Sequence, residues 1–155
     1  MDIVSFGATK NGCWCAEALV FMNPEWAKDL PFIRKRAAQL FSKSRFIAGQ
    51  FDAYLHDELW LDLARYANAM AERLRNGVVN SESARLAWHT EANEVFAILD
   101  KAHADQLQEK GAVLYQWNPP RAKSNLLGRH EVLVRLVTSF ATEADQVDRF
   151  VELLR

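Results

Sequence analysis

Val95-Phe96-Ala97-Ile98-Leu99 is an uninterrupted apolar run of strand length, and the more polar residues 100–110 that follow it end at Gly111. The run predicts a short buried strand, and the segment after it predicts a helix that the glycine terminates.

Further strands and one more helix are predicted around this pair. Strands are expected at residues 85–88, 112–117 and 131–139, with Asn118-Pro119-Pro120 in the loop between the last two. Thr142 and Asp145 form a capping-box pattern ahead of a final amphipathic helix. The order strand, strand, helix, strand, strand, helix is typical of a small antiparallel sheet covered on one face by helices. The predicted fold class is therefore α+β.

A long amphipathic helix is predicted ahead of this sheet. Apolar residues recur at intervals of three and four, at Leu59, Leu63, Ala67, Met70 and Leu74. Gly77 follows them and is expected to cap the helix C-terminus. The apolar stripe of this helix needs a sheet or another helix to cover it.

Prolines organise the segment before that helix. Asn23-Pro24-Glu25 places a capping side chain before a proline and an acid in the first turn, which predicts a helix start. Pro31 has no N–H to donate, so that helix is expected to stop or kink near Leu30. Helical structure is expected to resume over residues 33–51.

Two more strands are predicted at the N-terminus, at residues 2–6 and 16–22, joined by a turn-like stretch at residues 7–12. No helix is predicted to cover them, and uncovered strands leave their edges open to pairing with other chains. We therefore interpret these strands as the end of another sheet.

Charge and cysteine content narrow the classes of partner. The 155 residues carry a net charge of -1, which gives no support to binding of nucleic acid or of an anionic membrane. Cys13 and Cys15 are too close along the chain for an ordinary disulfide framework or half of a zinc knuckle. No apolar run reaches the length of a membrane span. We expect a reducing, cytoplasmic setting.

Motifs of several enzyme classes are missing. The four histidines are scattered, without the spacing that places two metal ligands on one helix face, so no metal site is predicted. No nucleophile elbow, phosphate-binding loop or dinucleotide fingerprint is present. Hydrolases, nucleoside triphosphatases and dinucleotide-dependent enzymes therefore lose support.

One constellation stands out, Ser5-Phe6-Gly7-Ala8-Thr9-Lys10-Asn11-Gly12, a lysine in a turn between two apolar strands with a glycine on either side. A lysine in a dry pocket has a lowered pKa and supplies the neutral amine that Schiff-base chemistry requires. A lysine in such a turn is more commonly just solvated. Both interpretations are compatible with the residues alone.

This segment closely resembles the cofactor-lysine segment of the pyridoxal-phosphate-dependent, low-specificity L-threonine aldolases. Further blocks resemble this family in its usual order: residues 34–37 (RKRA), 42–46 (SKSRF), 67–71 (ANAMA), 91–93 (EAN) and 134–140 (VRLVTSF). The resemblance covers essentially the whole chain and implies the C-terminal half of a fold type I enzyme. Residues 1–22 would end the large cofactor-binding domain, residues 23–77 would bridge the domains, and residues 78–155 would form the small domain.

The resemblance implies retro-aldol cleavage of L-threonine and other β-hydroxy-α-amino acids to glycine and an aldehyde, with pyridoxal 5'-phosphate as cofactor. Lys10 would hold the cofactor covalently, and Arg135 would bind the substrate carboxylate unless it is a surface arginine on a strand. Lys35 and Arg45 would lie near the cofactor phosphate, partly across a dimer interface, although a solvated helix face explains them equally well. Thr9 and Ser5 are expected to stabilise the turn.

Alternatives from other classes stay open. The chain could be a non-catalytic aldolase fragment or interaction module, or belong to a related β-eliminating lyase or aminotransferase. The resemblance places the phosphate-binding loop, the aspartate for the pyridine nitrogen and the ring-stacking histidine ahead of the lysine segment, and none of them can be mapped here. We therefore expect residues 1–155 alone to be inactive, and the complete enzyme to be a homo-oligomer, a dimer or a tetramer.

Overall fold

Two compact units make up the chain, Met1–Leu63 and Ala64–Arg155. The computed structural model describes every residue from 1 to 155. The boundary between the units falls inside a long helix, Leu59–Val79. The resemblance implies domain boundaries after residues 22 and 77, and these boundaries stay predictions.

The first unit consists of a β-hairpin followed by short helical segments. Strands β1 (Ile3–Gly7) and β2 (Glu17–Phe21) pair antiparallel, which confirms the two strands predicted near the N-terminus. The helical segments are a 3₁₀ turn (Pro24–Ala27), α1 (Leu30–Arg36), α2 (Ser44–Leu55), a second 3₁₀ turn (His56–Glu58) and the start of α3 (Leu59–Val79).

The prolines of this unit lie at helix starts. The side chain of Asn23 accepts a hydrogen bond from the Glu25 N–H at 3.0 Å, as predicted, but it caps only a 3₁₀ turn. The 3₁₀ turn that follows Asn23 ends at Ala27 and α1 begins at Leu30, so helical structure is interrupted near Leu30 as predicted, and Pro31 lies in the first turn of the new helix. The first N–H groups of a helix have no partner within it, and proline is therefore tolerated there. The helix predicted over residues 33–51 is broken between α1 and α2, where Ala38 has a φ of 58°.

The second unit is built on a four-stranded antiparallel sheet, which confirms the predicted α+β class. Its strands are β3 (Ala84–Leu86), β4 (Glu94–Asp100), β5 (Tyr115–Gln116) and β6 (Glu131–Val137), in the order β3-β4-β6-β5. The central pair places Val95 opposite Leu136 and Phe96 opposite Arg135. Alternate residues of these strands therefore face opposite sides of the sheet.

Helices cover one side of this sheet. They are α3, α4 (Lys101–Glu109) and α5 (Ala144–Leu153), and none of the chain's helices has the length and apolar character needed to span a membrane. The buried core between sheet and helices includes Ala71, Leu74, Val78, Val95, Ala97, Leu99, Ala104, Leu107, Val134, Leu136 and Val147. β5 is shorter than the predicted strand at residues 112–117, because the Ala112 N–H bonds to the Leu107 carbonyl at the end of α4.

Two predicted helix boundaries are wrong in detail. Gly77 lies inside α3, where an added Cβ would come within 2.1 Å of Val151 Cγ2 in α5. The glycine therefore lets two helices approach closely and does not cap one. The capping box of α5 uses Glu143 and Gln146, one position later than predicted.

Candidate active site

Lys10 lies in the middle of a 3₁₀ turn, Thr9–Asn11, that leads from β1 toward β2. The carbonyl of Ala8 accepts hydrogen bonds from the N–H groups of Asn11 at 3.0 Å and Cys13 at 3.1 Å. Gly12 follows with a φ of 116°, which glycine adopts without steric cost. The backbone around Lys10 is thereby fixed by hydrogen bonds and by a residue suited to the turn.

The side chains on either side of Lys10 are also held. Thr9 Oγ1 donates to Glu17 Oε1, so Thr9 stabilises the turn as predicted. Asn11 Nδ2 donates to the buried Tyr54 hydroxyl at 2.6 Å and to the Trp60 carbonyl at 3.0 Å. These contacts connect the turn to β2, to α2 and to the first residues of α3.

Lys10 itself is exposed, and its side chain forms no hydrogen bond or ion pair within the chain. Residues 1–63 therefore do not enclose the Lys10 amine in a dry pocket. They do supply an unengaged amine on a firmly held backbone, which suits a residue that must form a covalent bond with a ligand. Lys10 thus fits the role of a cofactor lysine.

Arg135 lies in β6 of the second unit, on the side of the sheet that the helices leave uncovered. Its Cζ is 4.9 Å from the centre of the Trp117 ring, a cation–π contact. Its Nη2 donates to Glu94 Oε1, while its Nε is buried and has no hydrogen-bond acceptor. The guanidinium is held in place but keeps an unsatisfied donor.

Comparison with known proteins relates the chain to one enzyme family. No protein-family model matches the sequence. Over 115 residues it is 36% identical to the low-specificity L-threonine aldolases of Pseudomonas aeruginosa and of Pseudomonas sp. strain NCIMB 10558. The match covers 74% of this chain and 33% of each relative. The chain is related to the threonine aldolases.

Solved structures agree with this relationship. A Leishmania major threonine aldolase superposes on 99% of the chain with a TM-score of 0.86 and 30% identity. A serine palmitoyltransferase of Sphingomonas wittichii matches 70% of the chain with a TM-score of 0.52, but at 19% identity it shows the fold alone. The chain spans about a third of the length of the curated threonine aldolases and 42% of the Leishmania structure.

The two basic residues that the aldolase resemblance places near a phosphate are both exposed. Lys35 lies in α1, and its side chain forms no hydrogen bond or ion pair. Arg45 lies in α2 with its Cζ 5.0 Å from the centre of the Phe46 ring. Neither side chain bonds to the Lys10 turn, so their roles stay predictions.

Glu17 is part of the turn's support, which the sequence did not reveal. It lies opposite Gly7 in the hairpin, and a Cβ added to Gly7 would come within 2.4 Å of Glu17 Oε2. Glycine therefore leaves room for the carboxylate that holds Thr9. The signal in the sequence was an acidic residue interrupting the apolar strand predicted at residues 16–22.

Gln50 is a second support that sequence reasoning missed. Its Oε1 accepts hydrogen bonds from the N–H groups of Trp14 at 2.9 Å and Cys15 at 3.1 Å.

Burial, with smaller contributions from Cys15 and Glu17, raises the pKa of the Cys13 thiol. Cys13 is therefore a poor nucleophile at neutral pH.

Large aromatic rings at apolar positions are usually buried, so the sequence predicts Trp60, Trp88, Phe96 and Trp117 in the core. Three of them instead form a row on the uncovered side of the sheet. The Phe96 ring lies 4.6 Å from Trp88 and 6.1 Å from Trp117, measured between ring centres. Lys123 Nζ lies 4.9 Å from the centre of the Trp88 ring, at the other end of the row from Arg135. Only Trp60, which packs against Phe6 in the first unit, joins a hydrophobic cluster as expected.

Proposed function

We propose that this chain forms part of a pyridoxal-phosphate-dependent threonine aldolase, which cleaves L-threonine and other β-hydroxy-α-amino acids to glycine and an aldehyde. The observation that carries the proposal is the Lys10 turn, an unengaged lysine between two anchored neighbours in a chain related to threonine aldolases. The activity of the whole enzyme is inferred from that relationship.

Lys10 is proposed to hold the cofactor through its Nζ. The anchored turn fixes the backbone of Lys10. The Lys10 amine therefore samples a limited volume, in which it can meet the aldehyde group of bound pyridoxal phosphate. When bound, pyridoxal phosphate supplies the electron sink for cleavage of the carbon–carbon bond. The chain's own contribution is to retain the cofactor and to keep Lys10 in position.

Arg135 is proposed to bind the substrate carboxylate. A planar guanidinium can form two parallel hydrogen bonds to a carboxylate, and this orients the ligand as well as binding it. The Trp117 contact supports one face of the guanidinium and limits its rotation. Orientation of the scissile bond relative to the cofactor depends on such a grip.

Lys35 and Arg45 are proposed to lie near the cofactor phosphate. Both side chains are exposed cations, and neither is engaged in an ion pair within the chain. A phosphate group would gain favourable charge interactions with either of them. The same exposure is compatible with a solvated helix face, so this assignment depends on its own test with charge-removing variants.

The complete enzyme is proposed to be a cytoplasmic homo-oligomer. The resemblance places part of the phosphate site across a subunit interface, and the two cysteines are free thiols, which suits a reducing compartment. Residues 1–155 alone are proposed to be inactive, because the resemblance assigns the other groups that hold the cofactor ring to sequence outside them.

Borohydride reduction followed by peptide mapping tests the cofactor role. Protein that contains these residues is incubated with pyridoxal phosphate, reduced and digested, and the adduct is expected on Lys10. Lys10→Ala should abolish the adduct and glycine formation from L-threonine, whereas Lys28→Ala, the matched control on an exposed lysine paired with Glu25, should change neither. An adduct on another lysine with Lys10 free would contradict the assignment.

Product analysis separates the reaction classes. Glycine plus acetaldehyde from L-threonine supports the aldolase, whereas 2-ketobutyrate points to β-elimination, and an amino-group transfer to a keto acid points to an aminotransferase. Retention of pyridoxal phosphate without turnover in any longer form of the protein would favour the non-catalytic alternative.

A further inference from the structure

Three arginines of the second unit form ion pairs with carboxylates across elements, and one of the three differs from the others. Arg73 donates from both Nε and Nη2 to Asp148, each at 2.6 Å. Arg85 also uses both nitrogens toward Glu131, at 3.4 and 2.6 Å. Arg135 uses only Nη2 toward Glu94 and leaves its Nε buried without an acceptor.

The unsatisfied Nε is unusual because buried donors on charged groups are nearly always paired. A buried donor without an acceptor destabilises the fold, and more so when the group is charged. Glu94 relieves only part of this cost, since one of its oxygens serves one nitrogen. A carboxylate that reached both nitrogens would satisfy the guanidinium more fully.

Glu94 is held next to Arg135 by the backbone where the central strands β4 and β6 end. The preceding residue, Asn93, donates from Nδ2 to the Thr138 carbonyl at 2.7 Å and accepts from the Thr138 N–H at 3.0 Å. Glu94 lies opposite Val137, one diagonal step from Arg135 on the same side of the sheet. Its carboxylate can therefore swing away while its backbone stays fixed.

The pair is also accessible. The side chains of Arg135 and Glu94 keep 31% and 36% of their surface exposed. Glu94 also lines a groove of about 540 Å³ on this side of the sheet, together with Trp88, Phe96, Pro120 and Lys123. A displaced Glu94 side chain thus has open space beside it, and a small anion can approach the guanidinium.

We propose that Glu94 is an exchangeable carboxylate, which holds Arg135 when no ligand is bound and gives up this arginine to the carboxylate of a small amino acid. The incoming group takes the Nε and Nη2 donors together. This inference rests on the proposed substrate role of Arg135 and adds Glu94 as a positioning residue that competes with the substrate.

Nuclear magnetic resonance of the isotopically labelled chain tests the exchange without cofactor or turnover. The probe is sodium acetate, titrated at constant ionic strength against sodium chloride, and the readout is the Nε–H signal of each arginine. The Arg135 signal is expected to shift and saturate. The Arg85 and Arg73 signals serve as internal controls and should stay in place, since their carboxylate partners already engage both nitrogens.

Glu94→Gln removes the competing charge and should bring saturation at an acetate concentration about two- to fivefold lower, the range expected for a partly exposed ion pair. Glu94→Asp keeps the charge on a shorter side chain and should give a smaller change in the same direction. The unchanged Arg85 signal reports that each variant is folded.

Three results would overturn the proposal: no saturable shift of Arg135, equal shifts of all three arginines, or the same saturation in wild type and Glu94→Gln. None of them bears on Lys10, whose adduct is measured separately. Failure of the exchange can therefore be distinguished from failure of the aldolase assignment.

Discussion

The side-chain amide of Asn11 donates to the hydroxyl of Tyr54 at 2.6 Å, joining two residues that are 43 positions apart in the chain. Tyr54 is 4% exposed and belongs to the small hydrophobic cluster of the first unit. The residue next to Lys10 is therefore anchored on a buried group, and the position of the lysine depends on the packing of α2.

Two variants that remove one or both of the hydrogen bonds of the Asn11 side chain should lower stability by different amounts. Tyr54→Phe removes one hydrogen-bond acceptor and should cost about 1 kcal/mol of unfolding free energy. Asn11→Ala removes both bonds and leaves a buried hydroxyl without its donor, so it should cost about 1–3 kcal/mol. Urea unfolding measures both, with exposed Asn118→Ala as the control near zero. Equal effects of Asn11→Ala and Asn118→Ala would show that the anchor contributes nothing.

Two helical glycines should respond in opposite directions to the same substitution. Gly77→Ala would place its Cβ 2.1 Å from Val151 Cγ2, and this overpacking should destabilise the second unit by about 1–3 kcal/mol. Gly49 in α2 has no atom within 4 Å of an added Cβ, so Gly49→Ala should stabilise by about 0.5–1 kcal/mol through helix propensity. Thermal unfolding of the two variants compares them directly. A stabilised Gly77→Ala would contradict the close helix contact.

The Glu131–Arg85 pair predicts a pH dependence of stability. The side-chain hydrogen bond from Arg85, with a further bond from the Gly128 N–H, holds the pKa of Glu131 below its ordinary value of 4.5. A lowered carboxyl pKa stabilises the fold above the ordinary value, and this contribution is lost as the pH falls through the lowered pKa. The free energy of unfolding should therefore fall between neutral and acidic pH, and this fall should be smaller in Glu131→Gln.

Glu109→Gln is the matched control for that experiment, because Glu109 is exposed and its side chain forms no hydrogen bond or ion pair. This variant should leave the fall in unfolding free energy at acidic pH almost unchanged. High salt should weaken the contribution of Glu131, since both partners are partly exposed. An acid profile of Glu131→Gln identical to that of the wild type would refute the assignment.

Arg135 should affect substrate and cofactor differently in protein that turns over threonine. Arg135→Ala should reduce kcat/KM for L-threonine by the equivalent of about 2–3 kcal/mol, the loss of a charge-assisted bond to the carboxylate. Cofactor affinity, read from the absorbance of bound pyridoxal phosphate, should change little. Arg135→Lys should recover only part of the activity, because a point charge cannot form two parallel bonds. Loss of cofactor before loss of substrate binding would contradict this role.

The sequence predicted the central sheet because its strands are apolar runs bounded by clear breaks. Val95 to Leu99 forms most of β4, and helix α4 begins at Lys101 as the polar segment indicated. The local sequence pattern was a poorer guide where the role of a residue depends on a partner far along the chain. Gly77 shows this, because only the approach of Val151 distinguishes a packing glycine from a capping one.

The candidate site shows the same limit. Lys10 and Arg135 were singled out by the resemblance, but Glu94 was not, because its pairing with Arg135 depends on the register between β4 and β6. The row of Trp88, Phe96 and Trp117 was expected in the core because large apolar residues are usually buried. Which side of a sheet lacks helices cannot be derived from side-chain size alone.

Thr138 is a buried polar residue, and its hydroxyl donates to the Ala67 carbonyl of α3 at 2.7 Å. The same hydroxyl lies 3.3 Å from the Asn93 carbonyl, just before β4, so it sits between a carbonyl of α3 and a carbonyl at the sheet. A slide of α3 by a fraction of a turn would take the Ala67 carbonyl out of hydrogen-bond range and lose the bond to the helix. The bond therefore favours the observed position of α3 over small displacements from it. Apolar packing alone tolerates sliding of a helix on a sheet, and a single hydroxyl gives this contact a preferred register.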